Sequence, residues 1–302
     1  MASSRILVSG ASGLIGSALL PSLAAREYAA TKLTRQAFSP SDDQISWDPA
    51  RPLPPQCVSG FDYVVHLAGK SIVGRWTNRK KILIRDSRVL GTAHLAHALA
   101  QASQRPRVLV CASAIGYYGD RGEEVLREEA PPGRGFLPSV CQQWEAAAQP
   151  AADAGIRVVH LRFGIVLSAA GGALKQMLLP FRLGLGGNVG NGHQWWSWVH
   201  IADVVGAIHY ALVNNSMRGP VNVVAPNPVT NSQFTSTLGA VLVRPTMFPM
   251  PAFAARTAFG QMADELLLSS QRVEPAKLLG AGYSFEYSEL RAALQQILRS
   301  RQ

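Results

Sequence analysis

The sequence predicts an α/β chain: a parallel sheet doubly wound by helices, with a smaller, mainly helical C-terminal domain. Three observations carry that expectation. Short apolar runs alternate with helix-length segments up to about residue 224. The chain opens with an apolar strand, a glycine turn and a helix, "RILVSGASGLIGSALLPSLA" at residues 5–24. Beyond about residue 225 the strand signal thins, and helical periodicity closes the chain in "YSELRAALQQILRS", Tyr287–Ser300.

In order, the strands fall at Ile6–Ser9, Ala29–Thr34, Tyr63–Leu67, Val108–Ala112, Val158–Phe163 and Val221–Val224. They are mostly unbroken apolar runs, as strands covered on both faces should be. Helices are expected near 14–25, 79–101, 139–153 and 201–213. "DPARPLPPQ" (48–56) reads as a loop, and 169–198 alternates glycine turns with aromatic residues. The implied division places residues 1–169 and about 199–224 in a nucleotide-binding domain. Residues 170–198 and 225–302 then form the substrate-binding C-terminal part.

The bulk composition narrows the function classes. With 302 residues, 47% hydrophobic and 16% charged, the chain can bury a sizeable core and is not a disordered one. Its 29 Lys and Arg against 19 Asp and Glu leave a net charge of +10, which favours anionic ligands. The densest basic run, "RWTNRKKILIR" (75–85), reads as a solvated helix face, so no nucleic-acid partner is expected. Cys57, Cys111 and Cys141 share no short spacing and fit neither a disulfide framework nor a zinc site. "MASSRILV" lacks the apolar core of a leader, and no apolar run is long enough to cross a bilayer. The expectation is a cytoplasmic protein acting on a small molecule, with no membrane partner and the oligomeric state left open.

The glycine turn is the first chemical signal. After a strand, Gly10 allows the turn, Gly13 lets the backbone approach a phosphate, and Gly16 lets helix and strand pack closely. The main-chain N–H groups of the helix that opens with Leu14 and Ile15 then face a diphosphate. This is the first half of a Rossmann-type dinucleotide site, spaced G-x-x-G-x-x-G. The second strand selects the cofactor: it ends Thr34-Arg35 with no carboxylate for a ribose 2′-OH, so a 2′-phosphate, and hence NADP, is favoured.

That turn, with "HLAG" at 66–69 and "SAIGYYGD" at 113–120, resembles the short-chain dehydrogenase/reductase superfamily. More narrowly, the chain looks like its extended and atypical members related to nucleotide-sugar epimerases. "MLLPFRLGLGGNVGNGHQWWSWVHIADV" (177–204) and "RVEPAKLLGAGYSFEYSELRAAL" (272–294) are similar to the epimerase-like branch with a C-terminal domain of unknown function. The resemblance implies cofactor contacts from Leu67, Ala68 and Gly69, from Arg88 in "DSRVLGT", and from Arg162 and Val166 in "RFGIV".

The superfamily reduces carbonyls with Tyr-x-x-x-Lys on a helix, where the ammonium lowers a phenol pKa of about 10 toward neutrality. Only Tyr28 has Lys four residues later, Lys32, and that pair lies along a strand, where four residues span roughly 13 Å. With Glu145 aligned to the glutamate common after the motif, the tyrosine and lysine positions of "FLPSVCQQWEAAA" (136–148) hold Leu137 and Cys141. The remaining catalytic candidates are Ser113 and Tyr117. Ser113 stands one residue off the family's serine position, which holds Ala114.

Other groups receive blander readings. His94 and His97 share a helical spacing with no third ligand near, so no metal is expected. Asp203, in "WVHIAD", is read as a helix cap or a hinge toward the second domain. Trp195, Trp196 and Trp198 are read as core before stacking platform. The acidic run "EEVLREE" (123–129) is read as a solvated loop. The functional expectation is an atypical NADP(H)-binding, epimerase-like oxidoreductase; the competing reading is a non-catalytic NADP(H)-binding redox sensor or scaffold.

Overall fold

The computed structural model describes residues 3–35 and 43–299, so Gln36 after Arg35 and the tail residue Ser300 lie outside the described residues. The chain forms β1 (Arg5–Ser9), α1 (Leu14–Ala24), β2 (Ala29–Thr34), β3 (Gln44–Ser46), β4 (Tyr63–His66), α2 (Asn78–Gln101) and β5 (Val108–Ala114). It continues through β6 (Val125–Leu126), α3 (Phe136–Ala146), α4 (Gln149–Asp153), β7 (Arg157–Phe163), β8 (Ile165–Leu167) and α5 (Gly172–Arg182). Next come β9 (Trp195–Trp196), β10 (Trp198–His200), α6 (Ile201–Val213), β11 (Gly219–Val223), β12 (Val229–Thr230), α7 (Asn231–Leu242) and α8 (Ala252–Phe259). A π-helical turn at Ala263–Leu267, β13 (Arg272–Val273), α9 (Ala276–Gly280) and α10 (Leu290–Arg299) close the chain.

Seven strands make one sheet in the order β11-β7-β5-β4-β1-β2-β3, and every pairing in it is parallel. Parallel crossovers place helices on both faces, and side chains alternate between them. In β1, Ile6 and Val8 join the core under α1 and α6, while Leu7 enters the core under α2 and α4. All three are fully buried, which is why the strand is apolar without interruption. A third core collects Leu174 and Leu178 of α5, Phe234 of α7, Leu294 of α10, and Trp196 and Trp198.

Two sequence expectations need correcting. The helix expected over 139–153 is two helices: α3 ends at Ala146, and α4 restarts with Pro150 in its first turn, because a proline has no N–H to continue the ladder. The acidic run is only in part a solvated loop: Glu123, Glu124 and Glu129 are exposed, as expected, but two of its residues are not. Val125–Leu126 pairs with β13, and Glu128 is buried, its Oε1 accepting from the Asn222 and Lys277 N–H groups at 3.1 Å each.

Two carboxylates tie the C-terminal segment to the sheet domain. Buried Asp203 accepts from the N–H groups of Glu286 and Tyr287 at 2.7 and 3.0 Å; burial raises its pKa. The cap of α6 is His200, whose Nδ1 accepts from Ala202 N–H at 3.1 Å. Glu265, on the π-helical turn, accepts from the N–H groups of Phe136 and Leu137 at 3.0 and 2.7 Å and so caps α3.

Candidate functional site

The carboxyl ends of β7, β5, β4 and β1 stand side by side in that order, and the glycine turn leaves the last of them. Gly10 has φ +71°, and a Cβ there would stand 2.6 Å from the Leu67 carbonyl carbon and 2.7 Å from Ala68 N. No side chain fits between the turn and the end of β4. Gly13 N–H closes the turn on the Gly10 carbonyl at 3.0 Å. At Gly16 a Cβ would lie 2.3 Å from that same carbonyl oxygen, so helix and turn pack at backbone distance. No side chain caps α1 at Gly13. The first-turn N–H groups of Leu14, Ile15 and Gly16 therefore remain for an anion, with the helix dipole behind them. The cradle fits a dinucleotide diphosphate.

Of the other expected cofactor residues, Leu67 and Ala68 abut Gly10 directly, and the rest lie on the neighbouring elements. Leu14 packs against the Gly171–Gly172 turn that follows β8, where a Cβ on Gly171 would meet its Cδ1 at 3.2 Å. Val166 pairs with Val199 in the short β8–β10 ribbon. Thr34 ends β2 and Arg35 follows it, exposed. Arg88 reaches back from α2: its Nη1 donates to the Lys70 and Ile84 carbonyls at 3.0 and 3.1 Å, and its guanidinium stacks on Trp144. A Cβ on Gly69 would come within 3.3 Å of its Cζ, so Arg88 lies directly behind the β4 loop.

Arg162 departs from its expected role. Its side chain is buried, and Nε and Nη2 each meet a Glu145 oxygen at 2.8 Å. Its Nη1 donates to Tyr118 Oη at 3.0 Å and to the Glu128 carbonyl at 3.3 Å. The guanidinium is spent inside the protein, so it is no cofactor ligand through its side chain. Burial alone would lower its pKa, but the hydrogen bonds and charge of Glu145 hold it above the usual arginine value.

Both catalytic candidates meet this pair. Buried Ser113 donates to Glu145 Oε1 at 2.7 Å. The Tyr117 ring lies against the Arg162 guanidinium, 3.5 Å from Cζ to centroid, and its hydroxyl has no hydrogen-bond partner among the described residues. Tyr118 is the opposite case. It is fully buried, donates to Asn222 Oδ1 at 2.7 Å, and burial pushes its pKa up to about 12. Leu137 and Cys141 are buried in α3, Leu137 facing Gly116, and burial pushes the Cys141 thiol up to about 12.

Beside this network a cleft of about 290 Å³ is lined by Gly116, Gly119, Arg134, Leu137, Arg256 and Ser269. The buried Ser269 Oγ has no partner among the described residues. A larger groove of about 640 Å³, lined by Ser22, Arg26 and His209, touches none of residues 10–16.

Sequence reasoning missed Glu145 as a functional group and used it only to set register; its place opposite a strand arginine needs the tertiary fold. It also missed His66. That ring is fully buried, with Nδ1 2.6 Å from Ser9 Oγ and Nε2 3.1 Å from Thr92 Oγ1, which in turn accepts from Trp144 Nε1 at 3.0 Å. Burial lowers its pKa to about 4, so it is a neutral strut behind the glycine turn. His94 bonds the Pro49 carbonyl, and no metal-binding cluster exists among the described residues. Lys32 pairs with Asp43 at 2.8 Å rather than serving Tyr28. Among the described residues no helix is long and apolar enough to cross a membrane.

Comparison with known proteins matches residues 6–224 to the NAD dependent epimerase/dehydratase family and residues 250–297 to a domain of unknown function, DUF1731. The epimerase family protein Mb2239 of Mycobacterium bovis is 40% identical over 97% of both chains. The crystal structure of human epimerase family protein SDR39U1 (isoform 2) with NADPH superposes with a TM-score of 0.90 at 38% identity, covering 98% of this chain and 99% of that one. UDP-glucose 4-epimerase of Thermus thermophilus, solved with NAD, shares the fold at 19% identity and a TM-score of 0.74, over 98% and 99% of the two chains.

Proposed function

The chain belongs to the NAD dependent epimerase/dehydratase family, and from that premise we propose that it is an atypical short-chain oxidoreductase using NADP(H) on a small molecule. The observation that carries this reading is the glycine turn: a backbone-only cradle, pressed on Leu67 and Ala68, ahead of a helix with no side-chain cap. The human relative solved with NADPH supports the choice of cofactor.

Main-chain N–H groups at Leu14, Ile15 and Gly16 bind the diphosphate, with Gly10 and Gly13 providing the approach. Thr34 and Arg35 receive the ribose 2′-phosphate. Leu67, Ala68 and Gly69, backed by Arg88, and the backbone at Val166 flank the rest of the dinucleotide. When bound, NADPH supplies a hydride.

The chain's own contribution is a proton and its placement. Ser113 donates to Glu145 and so presents its oxygen lone pairs to a substrate hydroxyl. Tyr117, with an unclaimed phenol, gives its proton to the oxygen of a substrate carbonyl, a different group from the hydroxyl at Ser113, as the C=O π bond breaks and the carbonyl carbon takes the hydride. The guanidinium 3.5 Å from its ring holds that ring in place, and the phenol proton is restored from water. The 290 Å³ cleft, which opens at Gly116 next to Tyr117 in the chain, suits a compact substrate that reaches from it toward these groups.

A second reading, an NADP(H)-binding sensor without turnover, is favoured by Leu137 and Cys141, since neither offers a proton at neutral pH. The separating experiment follows NADPH oxidation across a panel of small carbonyl compounds. Turnover that falls at least about 100-fold in Tyr117→Phe, with NADPH affinity unchanged, supports the enzyme. Tight NADPH binding without turnover on any compound supports the sensor.

A further inference from the structure

Eight of the fifteen large hydrophobic side chains exposed among the described residues come from two short segments: Leu179, Leu183 and Leu185, and Val243, Met247, Phe248, Met250 and Phe253. The concentration is spatial as well as sequential. Arg244 Nε donates to the Arg182 carbonyl at 3.0 Å, Phe248 N–H to Gly186 at 3.2 Å, and Met250 N–H to Asn188 at 2.8 Å. The two segments therefore lie side by side, and their apolar side chains form one patch rather than scattered surface residues.

Charge selects what covers it. Residues 172–190 and 243–260 carry Lys175, Arg182, Arg244 and Arg256 and no Asp or Glu. Among the described residues the one carboxylate paired with them is Asp264, which meets Arg256 at 2.8 Å. Arg182 and Arg244 stand within the patch. A second copy would bring two faces of the same positive charge together with no carboxylate from either segment between them, which is unfavourable.

The shape narrows it further. Val243, Met247 and Phe253 are 79%, 75% and 72% exposed, so they project into solvent and do not line a groove for a partner helix. Protruding aliphatic and aromatic side chains set among arginines match the interfacial region of a bilayer, where apolar tips enter the acyl boundary and guanidinium groups meet headgroup phosphates.

We propose that this face, built from the end of α5 and the 243–253 segment, docks the protein on a membrane surface bearing anionic phospholipid. The sequence pattern pointed to no membrane partner because only a spanning run carries a continuous apolar signal. A patch assembled from residues about 60 positions apart has no such signature.

The test is co-sedimentation of the full chain with vesicles of phosphatidylcholine, alone or with about 30% phosphatidylglycerol. Expected are binding at least about tenfold stronger to the anionic vesicles, weakening in about 0.5 M salt, and loss of binding in Phe248→Ser/Phe253→Ser and in Arg182→Gln. NADPH affinity, read in parallel, should be unchanged in all variants, since the substituted side chains are exposed. Three outcomes overturn the proposal. One is no vesicle binding by the unaltered chain. Another is binding that survives the Phe248→Ser/Phe253→Ser change, which would place it on general basic charge. The third is a dimer in light scattering that Phe253→Ser dissociates, which would make the patch a self-interface.

Discussion

Arg162 and Glu145 meet through two parallel hydrogen bonds of 2.8 Å, both leaving from β7 and received by α3. The pair is almost dry, with the arginine side chain 2% and the carboxylate 13% exposed. Two hydroxyls, Ser113 Oγ and Tyr118 Oη, bond to it from β5 and the turn beyond, and Tyr117 stacks on it. A buried ion pair is weak evidence of net stabilisation, because desolvation opposes the attraction. Removing only one partner is another matter.

Glu145→Ala should cost about 3–5 kcal/mol of unfolding free energy, since it leaves the Arg162 guanidinium buried beside Tyr118 with its main counter-charge gone. Glu145→Gln keeps an acceptor for Ser113 and should lose less. Denaturant titration of both variants reads the difference. A Glu145→Ala protein as stable as the parent would mean that water reaches the arginine freely, against its burial.

How much of this was legible in the sequence differs by residue. The sheet could be read because Ile6, Leu7 and Val8 must all be apolar when helices cover both faces, a property local to one strand. The glycine turn could be read because its requirement is conformational, as φ +71° at Gly10 attests. Glu128 could not. Its burial is set by Asn222 and Lys277, 94 and 149 positions away, and nothing in "EEVLREE" distinguishes it from its solvated neighbours. Arg162 carried a cofactor role only through the family resemblance of "RFGIV". Only the side of β7 on which α3 packs decides that it turns to Glu145 instead.

Gly10→Ala tests the cradle. The new Cβ would strike the Leu67–Ala68 backbone, which is not a flexible neighbour, and the residue would sit at positive φ. NADPH affinity should fall at least about tenfold, roughly 1.4 kcal/mol, as the turn shifts from the end of β4. Arg35→Ala tests the cofactor choice separately: affinity for NADPH should fall about 10- to 100-fold while that for NADH is unchanged. Equal losses for both coenzymes would remove Arg35 from 2′-phosphate recognition. Calorimetric titration measures both variants.

Acid should destabilise the fold through His66. Its folded pKa, about 4, lies below the unfolded value near 6.5, so between these limits the unfolded chain binds more protons. Stability is therefore fully kept above about pH 6.5 and declines as pH falls toward 4, by on the order of 3 kcal/mol from this residue. Buried Asp203, whose pKa is raised, acts in the opposite sense: it takes up its proton more readily when folded and partly offsets the loss. Burial also lowers the pKa values of His209, to about 4, and of His160 and His200, and these act in the same sense as His66. Urea unfolding at pH 7, 5.5 and 4.5 should show the decline, and His66→Gln should make it shallower by its own share whatever the variant's stability. A variant with the parent's slope would place the acid sensitivity elsewhere.

The start of α3 depends on a carboxylate more than a hundred residues away. Gly135, at φ +128°, offers no side chain to cap the helix, and the Phe136 and Leu137 N–H groups turn instead to Glu265. Gln261 Nε2 holds that carboxylate at 2.6 Å, so its aim is fixed from within the C-terminal segment. A charged acceptor on two first-turn donors resembles an N-cap reinforced by the helix dipole, and Glu265→Ala should cost about 1–2 kcal/mol. The loss should be local before it is global. Amide exchange should accelerate at the start of α3 and leave β1 and β5 untouched, because the helix frays from its uncapped end while the sheet core keeps its packing. Since Leu137 lines the cleft and Glu145 lies on the same helix, the variant should also weaken any turnover that depends on Ser113. Unchanged exchange at Phe136–Val140 would show that α3 starts without help from the C-terminal segment.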